Sequence, residues 1–324
     1  MQRMGRRRTR DKDLPQRVYW HHGALYFVDK AGKWHRLGDN KADALRAYAD
    51  MLHGPQSSFE ALAKKYSETK LVHKAAKTRR DQTAQMQRLV DVFGKMPAAH
   101  IRPGHVARYR DERSRTAPVA ANRELALLRH VMKTAVEWGI VPSNPCTGIS
   151  GNKEKARTRY VTDDEFRAVY EGAPMLVQVM MGLAYVTGQR ESDLLRIRGS
   201  DLLDDGIAVT QGKTGKRLII RWTDALRAAV QLAIDMPRKS GIASTYLVCR
   251  QNGQPLTPDG FRTVWQRHIR ACHESGLLAE RFTFHDLRAK AGSDGTDEKL
   301  LGHMDPRVLN RVYRRRPEMV RPTR

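Results

Sequence analysis

Cysteine is scarce in this chain: Cys146, Cys249 and Cys272 are the only three in 324 residues. An odd, widely spaced set offers no disulfide framework, and no apolar signal segment follows Met1, so an oxidising secretory compartment is not expected. No apolar run is long enough to span a bilayer. The twelve histidines lack the paired spacing of a zinc finger. A nucleotide-binding loop is missing too. Gln211-Gly212-Lys213-Thr214-Gly215-Lys216 has neither the preceding glycines nor the strand-to-helix setting of a Walker loop. There is no βαβ periodicity and no internal repeat, so neither a doubly wound α/β fold nor a repeat array is expected.

Acidic residues are outnumbered. Lys and Arg total 59 against 35 Asp and Glu, a formal net charge of +24. A surplus of that size sets up a field that attracts polyanions and speeds their encounter. With no membrane-spanning run, nucleic acid is favoured over an acidic membrane surface. Apolar residues make up 40% of the chain, enough for a folded core, and the length suits two domains.

Residues 1–17 carry Arg3, Arg6, Arg7, Arg8, Arg10, Lys12 and Arg17 against Asp11 and Asp13. This is a basic arm, either a solvated tail or one that gains energy by displacing counterions from phosphate. Short aromatic and β-branched pieces at 18–20, 25–28 and 34–37, punctuated by Gly23 and Gly32, predict a small antiparallel sheet, and 42–52 reads as a helix. Residues 1–56 are therefore expected to hold an arm and a small α+β module.

A helical domain is expected over 57–147. Ser57 and Glu60 have capping-box spacing, and helices are predicted over 78–93, 103–113 and 122–138. The last carries Leu125, Leu128, Met132, Ala135 and Val136 at helical intervals. Residues 148–159 are polar and read as a linker to a domain over 160–324. There Thr162 and Glu165 suggest a capping box, and 176–186 forms an apolar helix. Ile207 and Val209 alternate before Thr214-Gly215, as do Leu218 and Ile220 after it, which is a hairpin signature. Thr257-Pro258 marks another helix start. The fold class expected is mainly α and multidomain, with a mixed, helix-dominated second domain.

Cleaving a phosphodiester without a metal needs a nucleophile, cationic donors around the non-bridging oxygens and an acid for the leaving oxygen. Arg190 follows the turn at Thr187-Gly188-Gln189, where a five-donor fork suits a phosphate gaining charge; taken alone, it reads as an ordinary surface arginine. His285 and Arg288, three apart, share one helical face, with Phe284 and Leu287 packing while the polar pair faces out. His303 follows Gly302. Tyr313 lies between Arg311 and Arg314-Arg315-Arg316, a setting unlike that of a core tyrosine. The positive potential there favours phenolate and holds phosphate, so Tyr313 reads as a phosphate contact or a nucleophile. Lys213 and Lys216 flank the hairpin turn, either of them able to protonate a leaving oxygen.

Taken in order, Arg190, Lys213, His285 with Arg288, His303 and Tyr313 closely resemble the tyrosine recombinase, or phage-type integrase, family over roughly residues 57–324. The resemblance implies that Arg190, Lys213, His285, Arg288 and His303 surround a scissile phosphate and that Tyr313 is the nucleophile. Asp193 falls where the family often has a supporting acidic residue, one that orients Arg190 or nearby backbone. It also implies a core-binding domain over 57–147 and a catalytic domain over 160–324, clamped around duplex DNA. The first 52 residues look like the arm-site module of some phage integrases. The pattern departs at Lys290-Ala291-Gly292-Ser293-Asp294, which replaces a customary apolar helical stretch, and the interval from Arg288 to Leu301 is short.

The function implied is site-specific recombination through a 3′-phosphotyrosyl intermediate, integrating or excising a mobile element or prophage. No ATP, redox cofactor or metal is required by that chemistry. The partners implied are double-stranded DNA, three further copies in a homotetramer, and an accessory DNA-bending or directionality factor, in the bacterial cytoplasm or nucleoid. A type IB topoisomerase and a non-catalytic DNA-binding protein are the alternatives; the first would act as a monomer, the second would never become covalently attached.

Overall fold

The computed structural model describes residues 11, 13–53, 58–239, 242–297, 299–302, 306–308 and 312–316. It separates into two units, Met1–Glu154 and Lys155–Arg324.

In the first unit, β1 (Val18–His21), β2 (Ala24–Val28) and β3 (Trp34–Gly38) form an antiparallel sheet in that order, with Tyr19 opposite Tyr26 and Tyr26 opposite Arg36. Period-two alternation splits its faces. Val18, Leu25 and Leu37 are buried with Ala44 of α1 (Lys41–His53). On the other face Tyr19, His21, Tyr26 and Trp34 cluster as rings. The basic residues at 1–10 and Lys12 lie outside the described residues.

Four helices follow: α2 (Phe59–Thr69), α3 (Ala76–Phe93), α4 (Pro103–Ser114) and α5 (Pro118–Glu137). The capping serine of α2 is Ser58, whose hydroxyl accepts from the Ala61 amide, not Ser57, which lies outside the described residues. α5 begins four residues earlier than its apolar repeat suggests, because Pro118 sits in its first turn, where a missing N–H costs nothing. Phe59, Tyr66, Leu89, Phe93, Leu125 and Leu128 fill the core. Glu124 is buried among them, accepting from Tyr109 Oη at 2.8 Å and Arg113 Nε at 3.0 Å. Residues 149–152 are tied down rather than loose: Arg110 and Arg129 donate to the Ser150 and Ile149 carbonyls, and the Asn152 amide donates to Asn122.

Among its described residues the second unit is mainly helical, with one two-stranded hairpin. α6 (Asp163–Glu171) opens with the reciprocal Thr162–Glu165 capping box. α7 (Met175–Thr187), the one-turn α8 (Glu191–Leu194), the antiparallel pair β4 (Gly206–Thr210) and β5 (Arg217–Arg221), α9 (Asp224–Ile234), α10 (Pro258–Glu274), α11 (Phe284–Asp294) and the turn α12 (Pro306–Val308) follow. Apolar α7 lies between α9 and α11, and Val177, Met180, Leu183, Phe261, Trp265, Phe284 and Leu287 pack in one core.

Residues 290–294 do not interrupt α11, despite the loss of apolar side chains there. Lys290 is buried, its ammonium 2.5 Å from Asp163 and 3.0 Å from Asp294 and its charge over the rings of Tyr160 and Tyr185. Cation, carboxylates and rings take the place of an apolar contact.

Candidate active site

Two glycines set the backbone of the site. Gly188 ends α7 in the left-handed region (φ +64°), and a Cβ there would stand 2.6 Å from Leu301 Cδ2. The chain reverses at that point and presents Arg190 at the start of α8. Gly302 is likewise left-handed (φ +66°), and its absent Cβ would meet the Gln211 amide at 2.6 Å. Segments 187–190, 211–214 and 300–302 can therefore approach one another.

Arg288, inside α11, is buried, contrary to the expectation that it faces out with His285. Its guanidinium donates to the Gly188 carbonyl at 2.5 Å and the Leu301 carbonyl at 2.6 Å. Two fixed acceptors hold its planar fork. Burial, then the nearby Arg190 charge, pull its proton affinity below that of an ordinary guanidinium. Arg190 is mostly covered and lies 3.4 Å from Gln211 Oε1 and 3.7 Å from Asp193 Oδ2. Asp193 is buried, accepts from the Gly212 amide at 3.0 Å and also pairs with Arg196. One carboxylate thus links Arg190 to the backbone of the β4–β5 turn.

Tyr313 is a buried residue, packed with Ala289 and Leu301, although its arginine-rich sequence setting suggests exposure. Its neighbours in sequence are not all its neighbours in space: Arg315 turns inward to Asp286. Tyr313 Oη lies 3.4 Å from His285 Nε2, and the Arg288 charge is 5.3 Å from the ring centre. Protein packed around the imidazole, then the Arg288 charge, lower the His285 pKa, which favours the neutral ring as a proton acceptor. His285 is nonetheless an exposed residue, which moderates both effects.

Lys213 stands exposed in the β4–β5 turn, two residues past Gln211. No hydrogen bond or ion pair among the described residues joins it to Arg190, His285, Arg288 or Tyr313. His303 and Arg311 lie outside the described residues; Gly302 before the histidine is buried.

The residues that sequence reasoning overlooks are amides. Gln211 is fully buried, donating to Gln189 Oε1 at 2.8 Å and the Leu301 carbonyl at 3.0 Å while its own oxygen accepts from Thr214 at 2.9 Å. Gln189 in turn donates to the Leu300 carbonyl at 2.9 Å. This pair stitches the Arg190 turn, the hairpin and the 300–302 segment together. Its only sequence signal is position: one amide directly precedes Arg190, the other lies two residues before Lys213.

The arrangement places two guanidinium groups, an imidazole and a phenol in one cluster, which suits attack by the phenol on a phosphate diester. The chain is also similar to known proteins over most of its length. The phage integrase family model matches residues 161–318, and that of the phage integrase central domain matches residues 59–152. The integrase of Escherichia phage HK022 is 28% identical, the match covering 93% of this chain and 93% of that protein. The integrase of Escherichia phage lambda is 30% identical over 54% of this chain and 52% of its own length. Among solved structures, a lambda integrase tetramer bound to a Holliday junction matches with a TM-score of 0.71 at 21% identity, over 98% of this chain and 99% of that one. The Tn1549 transposon integrase in complex with circular intermediate DNA matches at 0.63 and 17% identity, over 79% and 95%. At such identities the structural matches speak for the fold.

Proposed function

The chain belongs to the phage integrase family of site-specific DNA recombinases, and from that premise we propose that it cuts and rejoins duplex DNA through Tyr313. The observation that carries this reading is the placement of Tyr313 Oη 3.4 Å from His285 Nε2, beside Arg288.

In this mechanism Arg190 and Arg288 receive the non-bridging oxygens of the scissile phosphate, and His303 adds a donor. Tyr313 Oη attacks phosphorus while its proton passes to His285. The bond from phosphorus to the 5′ oxygen breaks, and that oxygen takes a proton from Lys213. The products are a 3′-phosphotyrosyl link and a 5′ hydroxyl. Because a phosphotyrosyl ester replaces the broken P–O5′ ester, a 5′ hydroxyl from another strand reverses the chemistry without ATP. Asp193 and the Gln189–Gln211 pair act through Arg190 and the hairpin backbone.

Two duplexes each carrying two active sites require four protomers, in keeping with the tetramer described for lambda integrase. The ring-studded sheet at 18–38 is assigned to a second DNA site, away from the cleaved one. An accessory DNA-bending or directionality factor completes the assembly, which acts in the bacterial cytoplasm or on the nucleoid. Family membership favours this over type IB relaxation of a single duplex, or binding without chemistry.

The test is covalent capture. A nicked suicide core-site duplex, incubated with the protein in chelator, should yield a denaturation-resistant complex whose DNA maps by mass spectrometry to the Tyr313 peptide through a 3′ phosphate. Tyr313→Phe keeps the ring and should bind the duplex without forming the complex. Normal-rate attachment by that variant assigns the nucleophile elsewhere.

A further inference from the structure

The base of the β4–β5 turn, at Thr210 and Gly212, forms one wall of an open cavity of about 340 Å³ whose other walls include Ile197, Arg198, Ala208 and Tyr246. Packed side chains therefore do not steady the turn from that side. Arg196, two residues past α8, reaches across instead. Its guanidinium donates to Asp193 Oδ1 at 2.5 Å and, at the limit of hydrogen bonding, to the Thr210 carbonyl at 3.5 Å. A Cβ on Gly212 would stand 2.7 Å from Arg196 Cζ and closer still to both terminal nitrogens. The guanidinium thus fills the space that a side chain at 212 would need, and arginine at 196 requires glycine at 212.

The Gly212 amide donates to the same Asp193 oxygen, at 3.0 Å. Asp193 keeps only 1% of its side-chain surface, and a carboxylate so buried depends on its donors. Its other oxygen faces Arg190 at 3.7 Å, beyond hydrogen-bonding distance. The closer partners are therefore those on the hairpin side, Arg196 and Gly212. On the opposite side of this backbone Gln211 is held by Gln189 and the Leu301 carbonyl. Residues 210, 211 and 212 are each gripped, and Lys213, the next residue, stands exposed. Where its ammonium can reach is set by the backbone just before it.

We propose that Arg196 is a positioning residue for the leaving-group acid: lodged against Gly212, its guanidinium props the β4–β5 turn and fixes the reach of Lys213 to the 5′ oxygen. This rests on the reading of Lys213 as that acid. Proton transfer requires hydrogen-bond contact with the leaving oxygen, and displacement by an ångström is costly to a positioned group. Arg196 therefore acts on one step, protonation of the leaving oxygen, and not on the grip on phosphate or on DNA.

Sulfur at the bridging 5′ position isolates that step, since a thiolate leaves without a proton. Arg196→Ala should lower single-turnover cleavage of the ordinary core-site duplex about tenfold to a hundredfold and regain most of it on the sulfur substrate, with DNA affinity unchanged. The recovery also shows that the variant is folded. Gly212 is not left-handed, so Gly212→Ala displaces the guanidinium rather than straining the backbone, and it should show the same loss and the same recovery. In a chain carrying both changes the new Cβ meets empty space, so cleavage should match that of Arg196→Ala alone. Losses that multiply mean that the two positions act independently and overturn the proposal. A loss that persists for Arg196→Ala on sulfur, while Lys213→Ala recovers there, assigns Arg196 to the phosphate cations through Asp193 and overturns the positioning role alone. Weaker binding with a salt dependence shallower by about one unit of slope makes Arg196 a phosphate contact and overturns it too. Equal damage to Lys213→Ala on both substrates removes the acid reading itself, and the positioning role falls with it.

Discussion

Tyr313 Oη and His285 Nε2 face each other at 3.4 Å across the candidate site. If His285 accepts the tyrosine proton, it must be neutral, and its lowered pKa favours that form. The acid limb of the single-turnover cleavage rate should therefore fall below the ordinary histidine value of about 6.5. The same shift has a stability consequence of defined sign. The unfolded imidazole binds protons more readily than the folded one, so the contribution is full above the unfolded pKa and is lost as pH falls through the folded pKa. A rate profile whose acid limb is unchanged in His285→Gln would assign the proton to another group.

Lys213, exposed in the β4–β5 turn, is proposed as the acid for the leaving 5′ oxygen. Lys213→Ala should cleave an ordinary phosphodiester poorly and recover on a substrate with sulfur at the bridging 5′ position, because a thiolate leaves unprotonated. Equal damage on both substrates would make Lys213 a binding residue and Lys216 the next acid to test.

Gln211 shows how far the site can be read from sequence. The spacing of His285 and Arg288 places them on one helix, and α11 holds both. The apolar repeats of α5 and α7 and the alternation of β4 and β5 likewise reveal those elements, since a packed face imposes its period on the sequence. Gln211 has no such mark: its partners are residues 189 and 301, remote in the chain. Arg315 misleads in the opposite sense, because four arginines around a tyrosine suggest solvent until Asp286 is seen to draw one inward. Gln211→Ala should leave Gln189 Oε1 without its donor and the Leu301 carbonyl with Arg288 alone, and loosen Arg190. We expect cleavage to fall about tenfold to a hundredfold with DNA affinity little changed. A loss confined to affinity would place Gln211 in the DNA contact instead.

Lys290 should matter for stability rather than chemistry. It is buried, and although burial opposes its charge, hydrogen bonds to Asp163, Asp294 and Tyr160 raise its pKa overall. Lys290→Met keeps much of the aliphatic stem but removes these bonds and the contacts with the Tyr160 and Tyr185 rings. A cost of about 1–3 kcal/mol is expected in denaturant unfolding, the range for polar groups left without a buried partner. A neutral result would show that desolvation of the ammonium already offsets its pairing.

The N-terminal sheet should be dispensable for cleavage and necessary for a second DNA contact. Its small core of Val18, Leu25, Leu37 and Ala44 is separate from the core that Phe59 and Leu128 share, so losing it leaves the latter's packing intact. Its opposite face sets Tyr19, Tyr26 and Trp34 beside Arg36, with Tyr19 and Trp34 each more than two-fifths exposed. Aromatic surface left open on a charged module suits contact with a polyanion better than solvent. A chain lacking residues 1–52 should cut the suicide core site at the normal rate and fail to retain a second duplex selected from a random pool by the full protein. In the full chain, Arg36→Ala should weaken that second interaction and flatten its salt dependence by about one unit of slope, as one phosphate contact is lost. Trp34→Ala should weaken it without changing the slope, since a ring releases no counterion. If instead the shortened chain folds but no longer cuts the core site, residues 1–52 belong to the cleavage machinery and the boundary drawn at 57 is wrong.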